Sequence, residues 1–200
     1  MGILIQNGTI VTALDTYVGD VRTEGGTIVA IGSGFAAEPG DTVIDASGQY
    51  VFPGGIDPHV HMELPFMGTV SADDFETGTA AGVAGGTTSI IDFVIPARDQ
   101  NLMEGLAEWH AKADKAVADY AFHMAVTWWG DETAEWMRRC VQDEGIPSFK
   151  TFMAYRGAIG VDDYELIQVM KTARELGALT TVHAEHGDMV VELQNSLFAA

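Results

Sequence analysis

Residues 57–61 read Asp-Pro-His-Val-His, and the 200-residue chain holds only 6 His. In a strand, alternate side chains face opposite sides. His59 and His61 therefore share one face, roughly 6.6 Å apart, while Val60 faces away. Two imidazoles side by side suit a metal ion, although this spacing alone is a weak signal. Lys150 lies inside the apolar run Pro147-Ser-Phe-Lys-Thr-Phe-Met-Ala-Tyr155. Burial there penalises the ammonium and lowers its pKa. A neutral amine is nucleophilic and can add carbon dioxide; the carbamate that results has two oxygens able to bridge two cations. A third candidate, His183, stands in Thr-Val-His-Ala-Glu-His, and Asp92 stands in Ile-Ile-Asp-Phe. Each has a plainer explanation: a hydrogen-bonded core histidine, or a lysine that snorkels or pairs with an acid. His123 fits that description, and His110 reads as helix surface.

These groups need elements to position them. The first fifty residues read as short strands and tight turns, with hairpin signals at Asn7-Gly8 and Gly25-Gly26 and two more short strands in 41–52. From residue 52, five apolar runs alternate with amphipathic stretches. Ser71 is expected to cap a first helix that stops near Gly85-Gly86. Leu102, Leu106, Trp109, Ala113 and Val117 form one helical stripe. Asp131 is expected to cap the next helix, ending at Gly145. Asp162 with Glu165 makes a capping-box pattern, and Gly177 falls where a C′ glycine belongs. Strands alternating with helices of this length predict βαβ units and a parallel sheet.

An open nucleotide-binding sheet usually carries G-x-G-x-x-G after its first strand; here that strand ends in His-Val-His, which favours the (β/α)8 barrel. The expected fold is thus α/β: the first five βα units of a (β/α)8 TIM-like barrel over 52–200, preceded by a small β module over 1–51. A full barrel takes about 250 residues, so three units are expected to lie outside these 200. In such a barrel the C-terminal strand ends make the active site. There the first strand offers His59 and His61, the second Asp92, the fourth Lys150 and the fifth His183.

Composition narrows the partners. The 29 acidic and 10 basic residues give a formal charge of -19, which repels phosphate backbones and anionic lipid. Neither nucleic acid nor a membrane is expected as a partner, and no apolar run approaches the ~18 residues that span a bilayer. The start of the chain lacks a basic n-region. The single Cys, Cys140, excludes an internal disulfide and reads as a buried inert thiol on a helix with Trp136 and Met137. A cytoplasmic setting is expected.

The stretch PGGIDPHVHMELPFMGTVSADDFETGTAAGVAGGTTSIIDF, with SFKTFMAY and TVHAE, resembles the cyclic amidohydrolases of the dihydropyrimidinase and D-hydantoinase type. The resemblance runs along the whole chain. It implies hydrolysis of the cyclic amide bond of dihydropyrimidines or 5-substituted hydantoins at two divalent ions, zinc foremost. It implies that His59 and His61 bind one ion, that carboxylated Lys150 bridges both, and that His183 binds the second. Tyr155 is implied as the donor to the developing oxyanion, with Leu64, Phe66 and Phe152 shaping the pocket for the small cyclic substrate. A strand-six His and a strand-eight Asp complete the family's set and have no counterpart here, so the 200 residues alone are expected to be inactive. A homotetramer is implied as well. The chemistry agrees with the residue types, since metal coordination brings the pKa of water from about 15.7 to about 7. The rival readings are allantoinase, dihydroorotase, a non-enzymatic scaffold of the same fold, and a plain α/β binding domain. A dihydroorotase-type pattern puts Arg where this chain has Glu63, which is expected to repel a carboxylated substrate.

Overall fold

A computed structural model describes residues 2–66 and 68–199. The chain divides into two compact units, Met1–Gly54 and Gly55–Ala200.

The first unit contains strands β1 (Gly2–Val11), β2 (Thr16–Glu24), β3 (Thr27–Gly32), β4 (Thr42–Asp45) and β5 (Tyr50–Val51). They form one sheet in the order β3-β2-β1-β4, with β5 also paired to β1. Leu4, Ile10, Val21 and Ala46 supply its buried apolar residues. Gly25 and Gly26, with φ of 55° and 81°, make the two-residue turn between β2 and β3 that their sequence predicts. Asn7-Gly8 is not a hairpin turn. It is a bulge inside β1, where the register to β2 shifts between Ile5 and Gly8. Asn7 uses its left-handed conformation (φ 61°) there, and its N–H donates to the buried Asp20 carboxylate at 2.9 Å. The chain reverses later, where the Thr12 N–H donates to the Asp15 carbonyl at 2.9 Å.

The second unit opens with β6 (Gly55–Val60), a small hairpin β7 (Pro65–Phe66) and β8 (Thr69–Val70), and α1 (Phe75–Ala84). It continues as β9 (Thr87–Val94), α2 (Leu102–Ala113), β10 (Asp119–Ala125), α3 (Thr133–Gln142), β11 (Ser148–Phe152), α4 (Asp163–Glu175), β12 (Leu179–His183) and α5 (Gly187–Phe198). The strand order is β12-β11-β10-β9-β6, and each pair is parallel. Every strand thus pairs with its successor in the βα series and the order never reverses. A doubly wound sheet must reverse at a switch point, whereas consecutive staves of a (β/α)8 wall do not. Ile90 and Val94 of β9, Phe122 and Met124 of β10 and Phe149 of β11 face the helices. They pack there with Leu102, Leu106, Trp109, Met137, Cys140 and Val169 in one core. Among the described residues, no helix is long and apolar enough to cross a membrane.

The helix ends agree with the sequence in part. Asp162 and Glu165 form the capping box of α4, and Gly177 follows its C-cap with φ 68°. The cap of α1 is Asp74 with Thr77, not Ser71. Ser71 instead closes the loop after β6, its hydroxyl accepting the Leu64 N–H at 2.8 Å. The stripe on α2 ends at Ala113; Val117 lies beyond the helix, exposed, with its N–H donated to the Thr79 hydroxyl at 3.0 Å. Asp131 does not cap α3. That helix begins after Glu132 with no side-chain cap, and the Thr133 hydroxyl accepts the Gly130 N–H at 2.9 Å. Cys140 is fully buried, and burial pushes its thiol up to about 12.

Candidate active site

Strand alternation sorts the polar residues of the sheet. With Ile90 and Val94 turned to the helices, Phe93 faces the other way, toward the barrel interior. The Phe93 ring is buried and forms a shared floor. Its centre lies 4.5 Å from His59, 5.0 Å from His61 and 4.7 Å from His123. The Lys150 Nζ sits 5.4 Å from the same ring and 5.2 Å from that of Phe152. Thus β6, β9, β10 and β11 each place a group at one spot on the inner face. Residue types in the sequence point to the histidines and the lysine, but nothing marks Phe93 among its apolar neighbours.

The electrostatics follow from burial. Lys150 is only 6% exposed, and burial alone lowers its pKa. Among the described residues no acidic side chain pairs with the ammonium, so the neutral, nucleophilic form is favoured relative to a solvated lysine. His61 is also lowered, first by burial and then by the nearby His59 and Lys150. Its Nδ1 is buried with no hydrogen-bond partner among the described residues. Leaving such an atom unpaired costs about 1–3 kcal/mol. The rings of His59 and His61 stand 5.3 Å apart, edge to face. The unfilled His61 nitrogen, with the His59 ring beside it and an amine that can become an anionic oxygen donor, forms a donor set that fits a divalent ion of zinc's type. Among the described residues, no three His, Cys, Asp or Glu side chains gather closely enough to hold an ion by themselves. His123 does not add to the set: its Nδ1 lies 2.5 Å from the Ser148 hydroxyl and its Nε2 3.0 Å from the Pro58 carbonyl.

Beside this spot opens a cleft of about 760 Å³. His61 and His183 line it, as do Leu64, Phe66, Phe152 and Tyr155. Ile95, Pro96, Ala158 and Ile159 extend the apolar wall, an addition that sequence reading missed because these loop residues have no periodicity. Phe152 lies on β11 itself rather than in the loop after it. Tyr155 holds a left-handed backbone (φ 60°) that a bulky residue rarely adopts. Its ring packs 5.5 Å from His183 and 5.4 Å from Phe66. His183 Nε2 lies 3.0 Å from Glu185 Oε2, a partner the sequence shows two residues on but without a role.

Two expectations fail on geometry. Asp92 does not join the imidazoles, because its parity turns it from the Phe93 face toward α2. It is 1% exposed and accepts the Met62 N–H at 2.7 Å and the Trp109 indole N–H at 3.2 Å. Burial pushes its carboxyl up to about 6. Glu63 does not line the cleft. Lys115 captures its carboxylate while also lying 3.0 Å from Asp74, so its charge is neutralised away from any substrate. It cannot serve to repel a carboxylated ring.

Residues 50–199 match the model of the amidohydrolase family. A dihydropyrimidinase of Dictyostelium discoideum is 48% identical over 98% of this chain and 39% of its own length. A D-hydantoinase of Geobacillus stearothermophilus is 50% identical over 94% of this chain and 40% of its own. The crystal structure of dihydropyrimidinase from Brevibacillus agri NCHU1002 superposes with a TM-score of 0.95 at 48% identity, covering 100% of this chain and 43% of that one. The chain therefore spans about two fifths of the length of the relatives it matches.

Proposed function

The chain belongs to the amidohydrolase family, and from that membership and the geometry of the cleft we propose that it carries part of the active site of a metal-dependent hydrolase that opens cyclic amides, dihydropyrimidines and 5-substituted hydantoins foremost. One observation carries the reading: among the described residues, a buried lysine that makes no ion pair stands beside a half-buried imidazole whose buried Nδ1 has no hydrogen-bond partner.

His59 and His61 would hold one divalent ion, His183 a second, and Lys150 both. For Lys150 this requires carboxylation: the neutral Nζ attacks carbon dioxide, an N–C bond forms, and one proton leaves to solvent. The resulting carbamate offers two oxygens. Two ions of zinc's type, when bound, would supply a water acidic enough to react at neutral pH and a Lewis acid for the carbonyl. The chain's own residues do the rest. Leu64, Phe66 and Phe152 exclude water and receive the apolar ring substituent. Tyr155 presents its hydroxyl where negative charge develops on the amide oxygen, the kind of donor whose removal costs about 10²–10³ in kcat. A His from strand six and an Asp from strand eight would complete the set, so the 200 residues alone would be inactive. We place the enzyme in the cytoplasm as a homotetramer, which light scattering of the full-length protein checks.

The test is turnover by the full-length protein. Loss of dihydrouracil and hydantoin absorbance should require divalent metal, cease after chelation and return with zinc, at two ions per chain. Preference for allantoin or dihydroorotate would replace the substrate assignment. Absence of bound metal and of any ring opening would favour a scaffold role.

A further inference from the structure

We propose that Arg98 is a positioning residue that holds Tyr155 in place for the ring-opening step, an inference that rests on the hydrolase reading above. Arg98 lies in the loop after β9 and is not among the residues that line the cleft. Its guanidinium reaches the loops after two further strands. Nη1 donates to the Thr127 carbonyl at 3.2 Å, in the loop after β10, and to the Gly160 carbonyl at 3.3 Å, in the loop after β11. Nη2 donates to Glu165 Oε1 at 3.1 Å, in the first turn of α4. Glu165 is buried and ties the same groups again. Its Oε1 accepts the Trp129 N–H at 3.3 Å and its Oε2 the Asp162 N–H at 2.8 Å. One planar fork therefore joins three successive βα loops, a task that suits arginine and not lysine.

Gly160 is the end of this clamp that bears on Tyr155. Its N–H donates to the Tyr155 carbonyl at 3.0 Å, and the Ala158 N–H donates to the same oxygen at 3.1 Å. A Cβ on Gly160 would lie 2.2 Å from the Ala154 carbonyl, so the turn is wound as tightly as glycine permits. The left-handed Tyr155 persists only where its surroundings over-determine it. Arg98, bound to the Gly160 carbonyl, supplies that constraint. Freed of it, the turn relaxes toward ordinary φ values and the phenol leaves the oxyanion position, although no atom of Arg98 meets substrate.

The experiment is a double-mutant cycle on the full-length, metal-loaded enzyme. Arg98→Ala should lower kcat about 10–100-fold, as misplacing a reacting group by about 1 Å does, with metal content retained. Arg98→Lys, which keeps the charge but not the fork, should recover little of the loss. In a Tyr155→Phe background the same Arg98→Ala change should lower kcat by less than about 2-fold, since the group it positions is gone. Equal losses in both backgrounds would overturn the proposal, as would a loss that tracks metal content. Hydrogen exchange gives a readout that needs no turnover: the Ala158 and Gly160 amides should exchange faster in Arg98→Ala, and unchanged protection would also overturn it. An enzyme that opens no ring at all but shows that faster exchange would refute the hydrolase reading while leaving the clamp intact. Should Arg98→Ala not fold, Glu165→Gln and Arg98→Lys carry the same cycle.

Discussion

Asp92 gives a prediction whose size follows from its surroundings. Its carboxyl stands at about 6 in the folded chain, raised by burial above 3.8 even though Met62 and Trp109 donate to it. The folded state thus holds the proton more tightly than the unfolded one. The sign follows: stability from this group is fully present below about pH 3.8 and is lost as pH rises through about 6. The whole interval corresponds to about 3 kcal/mol. Working below pH 5 is impractical because the chain's isoelectric point is near 4.3. Between pH 5 and pH 8 linkage leaves a change of about 1.4 kcal/mol. Asp92→Asn cannot titrate and removes that change. The variant also alters the bonds to Met62 and Trp109, so its absolute stability is not the readout. The readout is the difference between variant and wild type, from urea unfolding followed by tryptophan fluorescence at pH 5, 6, 7 and 8. The variant should gain about 1.4 kcal/mol on wild type across that range. A difference that stays flat, or that shrinks with rising pH, would refute the reasoning and mean that water reaches the carboxylate.

Lys150 should take up carbon dioxide: reconstitution of metal-free full-length enzyme with zinc should speed up as bicarbonate is added, and Lys150→Arg should bind about half the metal or less and show no ring opening. Gly160→Ala should lower kcat through the Tyr155 turn and cost at least about 1–3 kcal/mol in stability, the usual penalty for forcing backbone out of place; a variant with wild-type kcat and melting temperature would count against the tight turn. Cys140, buried and pushed up to about 12, should ignore thiol reagents in native buffer and react only once urea unfolds the chain. Removing Phe93 by substitution to Leu should loosen His59, His61 and Lys150 together, seen as weaker zinc affinity in a competition titration with melting temperature reduced by a few degrees.

Much of this site could be read from residue order because its chemistry is unusual. A lysine in a five-residue buried strand, and two histidines of equal parity at a strand end, are costly placements that point to a use. The βα rhythm was equally plain, since capping residues such as Asp162 and Glu165 mark where each helix starts. What resisted reading turned on single-residue offsets. Asp92 and Phe93 are neighbours, and a shift of one position exchanges the interior face for the helix face. Asn7-Gly8 has the composition of a hairpin turn, yet Asp20 offers its N–H a buried acceptor and the strand continues. Ser71 and Asp74 both suit a helix cap, and only the loop bond to Leu64 decides between them. Arg98 had no signal at all: a loop arginine ahead of an Asp and a Gln looks solvated until its three partners are folded around it.

The strand order of the second unit has a consequence for biogenesis. Because each stave pairs with the one made just before it, β9 can dock on β6 once β9 itself has emerged from the ribosome, and every later stave can add to an edge already made. Each pairing spans only one intervening helix, so no stave waits for a distant part of the chain, although parallel pairing of this kind forms more slowly than local contacts do. The histidines of the earliest stave could thus seat on Phe93 before the fourth stave brings the amine. Assembly of the candidate site would then run in the direction of translation, with the last-made groups closing it.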